Sequence, residues 1–191
     1  MEYQYLLAGE WYWAYNPTLI STVLGSCVAV VFYLPKQNQG GMFHSRLPIN
    51  PKGPEDEECP FCYVDSSFYQ VIQFFIKKNI SINDIQISIY GGSNMFRSED
   101  YTNMSIGKKN ITQTLKIIQQ MGLKSLNHDV FGRCGRRIHL HTDTGEITVA
   151  HTNHHCGEKS IVKIKEMLLY EDSIKTKSDA RQELLDRLSI I

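Results

Sequence analysis

Residues 19–34 read Leu19-Ile-Ser-Thr-Val-Leu-Gly-Ser-Cys-Val-Ala-Val-Val-Phe-Tyr-Leu34. The second half is β-branched and aromatic, which predicts a buried strand from about Ser26. Pro35 and the polar, glycine-containing stretch 36–41 predict a turn. Met42-Phe-His-Ser-Arg-Leu47 then predicts a return strand that stops at Pro48. An antiparallel hairpin centred between residues 35 and 36 sets Cys27 opposite His44, side chains on one face and Cβ atoms about 4.5–5.5 Å apart. A bulge near Gly40-Gly41 would shift the pairing by one residue and put the two on opposite faces.

Outward from this hairpin, residues 48–60 hold four prolines, acidic residues and Gly53, the composition of a surface loop. Asp65 or Ser66 can cap a helix whose Phe68, Val71, Ile72, Phe75 and Ile76 keep helical spacing. Ile85, Ile87 and Ile89 alternate as a half-buried strand ending at Gly91-Gly92. A second helix fits Lys108 to Met121, with Ile111, Leu115 and Ile118 on one face and Gly122 as its stop. Residues 138–141 and 146–150 flank Asp143-Thr-Gly145 as a hairpin. Strands and helices mix without regular βαβ alternation, so the expected class is α+β, a mixed or antiparallel sheet layered against helices. One domain over residues 1–157 is expected, followed by a charged helical extension over 158–191.

Twenty Lys+Arg balance twenty Asp+Glu, so no global field draws the protein to nucleic acid or an anionic membrane. No apolar run approaches the ~20 residues of a membrane span. The N-terminal residues lack the charge and apolar run of a signal peptide, so a cytoplasmic location without membrane insertion is expected. Five cysteines in such a chain read as thiols rather than as a disulfide framework.

The Cys27–His44 pair has a clear chemical use. A thiol near its ordinary pKa is only a few per cent thiolate at pH 7, and an adjacent imidazole can take its proton. The thiolate attacks an amide or ester carbonyl, the imidazolium protonates the leaving nitrogen, and water cleaves the thioester. A hydroxyl from Thr22 or Ser21 is nearest in sequence to orient the imidazole. Backbone N–H groups around Gly25-Ser26-Cys27 can receive the oxyanion. The same pair also fits plain packing, since cysteine is among the most buried residue types.

Leu24-Gly-Ser-Cys-Val-Ala-Val30, then Gly41-Met-Phe-His44 with Leu47-Pro48, resembles the signature of the CheD family of chemoreceptor glutamine deamidases. Tyr63-Val-Asp65, Tyr90-Gly-Gly-Ser-Asn-Met-Phe96, Ile106-Gly107 with Asn110, Gly132, Gly135-Arg136 and Thr144-Gly145 extend the resemblance in order over about residues 5–150. The resemblance implies an α+β layered fold and hydrolysis of receptor glutamine side chains to glutamate with loss of ammonia, without a cofactor or metal. It implies Cys27 as nucleophile, His44 as base and acid, and Thr22 as the triad hydroxyl, or Ser21 if the turn differs by one residue. The implied partners are chemoreceptor cytoplasmic domains, as substrate, and the CheC phosphatase, as regulator. The alternative is a non-catalytic or weakly catalytic regulatory module of the same fold that binds CheC or the receptors, with or without a structural zinc.

Two features lie outside that pattern. Glu57-Glu-Cys-Pro-Phe-Cys62 places a C-x-x-C pair in the Pro-rich loop, and His151-Thr-Asn-His-His-Cys156 adds a second cluster. Cys59, Cys62 and Cys156 with His151, His154 or His155 form a sensible Cys₃His zinc set. Cys59 and Cys62 alone would form a redox pair, and exposed loop thiols are the plainest reading. His139 and His141 share a strand face, and Cys134 reads as structural.

Overall fold

Strand β4 (Val28–Leu34) is buried at all seven positions, which requires a layer on each of its faces. In the computed structural model, which describes residues 1–94, 105–123 and 125–152, those layers are helices on one side and a second sheet on the other. Strands β1 (Glu2–Tyr5), β2 (Glu10–Ala14), β3 (Thr18–Leu24), β4 and β5 (Gln39–Ser45) are followed by helix α1 (Val64–Lys77), β6 (Gln86–Gly91) and helix α2 (Ile106–Gln120). Strands β7 (Ser125–Val130), β8 (Arg136–His141) and β9 (Ile147–His151) complete the described order. One sheet runs β2-β5-β4-β6-β7 and the other β1-β3-β8-β9. The expected α+β layered class is what forms.

Alternation along β4 assigns its side chains to two cores. Val28, Val30, Phe32 and Leu34 join Phe68, Val71, Ile72 and Phe75 of α1 and Ile111, Leu115 and Ile118 of α2. Ala29 and Val31 join Ile20, Leu24, Met42, Ile138 and Leu140 between the sheets. Ala29 is, with Ala14, one of two alanines in this second core. It sits opposite His44 in the β4–β5 ladder, which leaves room beside the imidazole.

Several local expectations shift. The β4–β5 register pairs Ala29, not Cys27, with His44. The turn is a single 3-10 turn over Pro35–Gln37 closed by Asn38 in the left-handed region, so the return strand starts at Gln39, ahead of the expected Met42. The displacement is two residues. A shift of one would have flipped every side chain, whereas a shift of two preserves the face. Residues 18–24, the first half of the quoted stretch, also form a strand, in the other sheet. Helix α1 begins at Val64 with no side-chain cap. The Asp65 carboxylate instead accepts from the Asn50 N–H at 3.0 Å and the Ser66 N–H at 2.8 Å, tying the Pro-rich loop to the helix. Residues 158–191 lie outside the described residues.

The cysteines depart from the thiol expectation. Cys59 and Cys62 are joined as a disulfide, Cα atoms 5.4 Å apart, and Cys134 is disulfide-bonded as well. Proline-rich loop geometry turns the three-residue span back on itself, with the Cys62 N–H on the Cys59 carbonyl at 3.1 Å. Cys27 is the one free cysteine among the described residues. Of the zinc set, Cys156, His154 and His155 lie outside the described residues.

Candidate active site

His44 is placed by three strands. In β5 it pairs with Glu10 of β2 on one side and Ala29 of β4 on the other, and its side chain enters the space between the sheets, 4% exposed. There the Thr22 hydroxyl lies 2.8 Å from His44 Nδ1. Thr22 faces inward because β3 alternates Ile20, Thr22 and Leu24 toward the inter-sheet core. Ser21 points to the other face of that sheet, and its hydroxyl has no partner among the described residues.

The proton inventory settles the imidazole tautomer. The Thr22 hydroxyl has one proton, which it donates to the Leu6 carbonyl at 2.8 Å. A carbonyl can only accept, so Thr22 Oγ1 is left as acceptor toward the ring, and Nδ1 carries the hydrogen. Nε2 then holds the lone pair. Among the described residues Nε2 is buried without a hydrogen-bond partner, an uncommon condition for a buried polar atom.

Cys27 sits one residue before β4, with its side chain packed against the same inter-sheet core. It therefore shares the His44 face, one diagonal step from it in the ladder. Diagonal neighbours are about 7–8 Å apart at Cα and within reach of longer side chains. The turn that presents Cys27 is fastened through three successive carbonyls. The Gly25 carbonyl accepts from the Ser93 N–H at 2.9 Å, and the Cys27 carbonyl from the Gly92 N–H at 2.7 Å. The Ser26 carbonyl accepts from Asn110 Nδ2 at 3.0 Å. The same nitrogen bonds the Arg46 carbonyl at 2.9 Å, so fully buried Asn110 clamps the cysteine turn to the end of β5.

The glycines of residues 91–92 permit this approach. Gly91 has φ +115°, and any Cβ there would overlap the Cys27 carbonyl. Gly92 has φ +71° and backs onto Gly107 in the first turn of α2. Buried Arg136 reinforces the loop, bonding the Gly91 carbonyl at 2.9 Å and Ser93 Oγ at 3.1 Å.

Electrostatics favour a neutral resting pair. Burial pushes the Cys27 thiol up, opposed by the Arg46 guanidinium and by its own backbone N–H. Burial pushes His44 down to about 4, opposed by the Leu6 carbonyl and Glu10 and assisted by Arg46. The imidazole is neutral with Nε2 unpartnered and lies one diagonal step along the ladder from the thiol, and a ring in that state can accept a proton. Arg46 acts on both groups and was not foreseen as a site residue. Its signal in the sequence was its position two residues beyond His44, at the end of the same predicted strand.

Among the described residues no group of three or more His, Cys, Asp or Glu side chains is placed to hold a metal ion. No helix there is long and apolar enough to cross a membrane.

Comparison with known proteins bears on the same stretch of chain. The profile described as CheD chemotactic sensory transduction matches residues 46–151. A Geobacter sulfurreducens protein named probable chemoreceptor glutamine deamidase CheD 2 is 32% identical over 149 residues, covering 78% of this chain and 89% of its own. A Nitratidesulfovibrio vulgaris protein named probable chemoreceptor glutamine deamidase CheD is 30% identical over 153 residues, 78% of this chain and 77% of its own. A like-named Methanococcus maripaludis protein is 32% identical over 134 residues, 70% and 85%. The relatives' alignments span most of the chain, and with the layered fold and the motif order they place this chain in the CheD family.

Proposed function

We propose that this protein hydrolyses glutamine side chains of chemoreceptors to glutamate, with Cys27 as nucleophile, His44 as base and acid, and Thr22 as the residue that holds the imidazole. The observation that carries the reading is the buried His44 ring with Nδ1 tied to Thr22 and Nε2 unpartnered. The names of the relatives supply the substrate class.

The steps follow from the atoms present. Cys27 Sγ attacks the glutamine δ-carbon as the thiol proton passes to His44 Nε2. The carbonyl oxygen becomes an oxyanion received by the N–H groups of the 25–27 turn, whose carbonyls are held by Gly92, Ser93 and Asn110. Collapse breaks the C–N bond while His44 returns the proton, and ammonia leaves. Water then attacks the thioester, gives a proton to Nε2, and releases glutamate and the thiol. The net change is one water in and one ammonia out, with no cofactor. Mass spectrometry of a receptor cytoplasmic fragment incubated with the protein tests this: a glutamine gains about 1 Da. Absence of the gain on any receptor fragment overturns the reading. The family resemblance adds the CheC phosphatase as a proposed regulator of the rate and the cytoplasm as the place of action.

Thr22→Val keeps the shape of the side chain and removes the hydroxyl. Two effects are expected: kcat falls about 100-fold because the ring loses its fixed tautomer, and stability falls about 1–2 kcal/mol because the Leu6 carbonyl loses its donor. Ser21→Ala is expected to leave kcat within about twofold, since that hydroxyl faces away from the ring. Steady-state kinetics on both variants checks the assignment. Equal losses would return Ser21 to the site.

The depressed His44 pKa fixes the acid limb. Nε2 must be unprotonated to accept the thiol proton, so kcat/KM rises with pH through about 4 and is flat across neutrality. Folding couples to the same group. Between the unfolded value of 6.5 and about 4 the unfolded chain binds a proton that the native chain refuses, so stability falls as pH drops through that window. The limit is on the order of 3 kcal/mol. An acid limb near pH 6.5 in the rate profile would contradict this environment for His44.

A further inference from the structure

The Cys59–Cys62 bond adjoins the site. Arg46 Nη2 lies 2.7 Å from Cys62 Sγ, and the Arg46 and Leu47 N–H groups both donate to the Cys62 carbonyl, at 2.9 and 3.1 Å. Arg46 directly follows β5, which carries His44, and it falls opposite Cys27 where the β4–β5 register continues past Val28↔Ser45. Its carbonyl shares the Asn110 clamp with the Ser26 carbonyl. One guanidinium therefore touches a sulfur of the pair and lies across the ladder from the free thiol.

The pair has the parts of an exchangeable couple. Cys59 is half-buried and Cys62 buried, so an external thiol reaches one sulfur and not the other. The loop has other ties besides the bond. Phe61, between the cysteines, stacks on Trp11 at 6.0 Å with an interplanar angle of 12° and bridges Gly9. Asn50 ties the loop's start to Asp65 and Ser66. A disulfide closing so short a span removes little unfolded-state entropy, and the sulfurs stay juxtaposed when it opens.

We propose that Cys59 and Cys62 form a reversible dithiol–disulfide couple whose state is read at Cys27 through Arg46. A dithiol reductant of the thioredoxin class supplies the electrons. Its thiolate attacks Cys59 Sγ, the S–S bond breaks, and Cys62 leaves as a thiolate against the Arg46 guanidinium. The reductant's second thiol then displaces Cys59 and closes the reductant's own disulfide. Two electrons pass from the reductant to the pair, and the reverse exchange with an oxidised dithiol restores the bond. In the disulfide state the sulfur facing Arg46 is uncharged, and the cation acts on Cys27. In the dithiol state the Cys62 thiolate neutralises the cation, and the Cys27 thiolate loses its support.

The experiment equilibrates the full chain with reduced or oxidised dithiothreitol, removes it, and follows iodoacetamide alkylation of each cysteine by peptide-resolved mass spectrometry. The folded protein is expected to interconvert reversibly at Cys59 and Cys62, with Cys27 alkylated about threefold more slowly in the reduced state, the effect of half a pKa unit. The double substitution Cys59→Ser, Cys62→Ser abolishes the dependence and leaves Cys27 at the faster, oxidised-state rate. Arg46→Gln slows Cys27 alkylation and makes it independent of the pair. Equal Cys27 rates in the two states of the wild type overturn the inference, as does a pair that stays oxidised in the folded protein under reductant. The link to activity rests on the deamidase reading, but alkylation needs no receptor, so the two fail separately.

Discussion

Cys27→Ala, and His44→Ala independently, are expected to reduce glutamine hydrolysis by at least about 10⁴-fold, mostly in kcat, with substrate binding nearly unchanged. The nucleophile and the base act in one bond-making step, and neither does useful chemistry alone. The double variant is therefore expected to be no worse than the poorer single one. Cys27→Ser belongs with Cys27→Ala: a hydroxyl ionises far less readily than a thiol, and a ring whose basicity is held down to about 4 is too weak to activate it. Cys27 is half-buried and free, so its truncation should leave the thermal midpoint within a few degrees. His44→Ala opens a buried space beside Ala29 and should cost more stability. Single-turnover ammonia release on both variants, with thermal melts beside it, separates lost chemistry from lost fold. Near-normal turnover by Cys27→Ala would end the thiol mechanism, and additive losses in the double variant would mean the two residues do not act as a unit.

Gly91→Ala is expected to lower stability by about 2–4 kcal/mol, the sum of a positive-φ penalty and a steric overlap. At the size of this chain that lowers the melting temperature by about 10 °C. A Cβ at this position meets the Cys27 carbonyl, with Val28 Cα at 3.1 Å, while the backbone itself sits at φ +115°. Gly53 provides the comparison. Its φ is +102°, and a Cβ there meets nothing within 4 Å, so Gly53→Ala reports the backbone penalty alone, about 1 kcal/mol. The excess in Gly91→Ala measures the close approach of β6 to the cysteine turn. Activity should fall with it, because the overlapped atom belongs to the nucleophile's own residue. Equal melting shifts in the two variants would show that the turn yields freely and that Gly91 does not position Cys27.

Strand β4 was legible because an unbroken run of β-branched and aromatic residues has no stable place except between two covering layers. Helices α1 and α2 were legible from their apolar spacing, and their ends came within two residues because Lys77-Lys78 and Gly122 mark them. The N-terminal strands β1 and β2 were not read. β1 alternates Tyr with polar residues over only four largely exposed positions, β2 is the aromatic run Trp11-Tyr-Trp13, and neither pairs with its neighbour in sequence. Residues 18–24 carried the apolar content of a strand, but nothing local says that they cross to a different sheet from residues 28–34.

The layered α+β class, Cys27 and His44 as the reactive candidates and the likeness to the CheD family were legible in the chain alone, because residue chemistry and motif order are properties of the chain. How these residues meet depends on pairing between distant elements. The register settles at Ala29↔His44 because the 3-10 turn starts the return strand at Gln39, a length that local composition leaves open. Thr22 rather than Ser21 reaches the ring because strand parity matters only once β3 lies across from β5 in another sheet. The position of Arg46 between the Cys59–Cys62 bond and the Cys27 turn follows from contacts across different elements, and no spacing in the sequence encodes it.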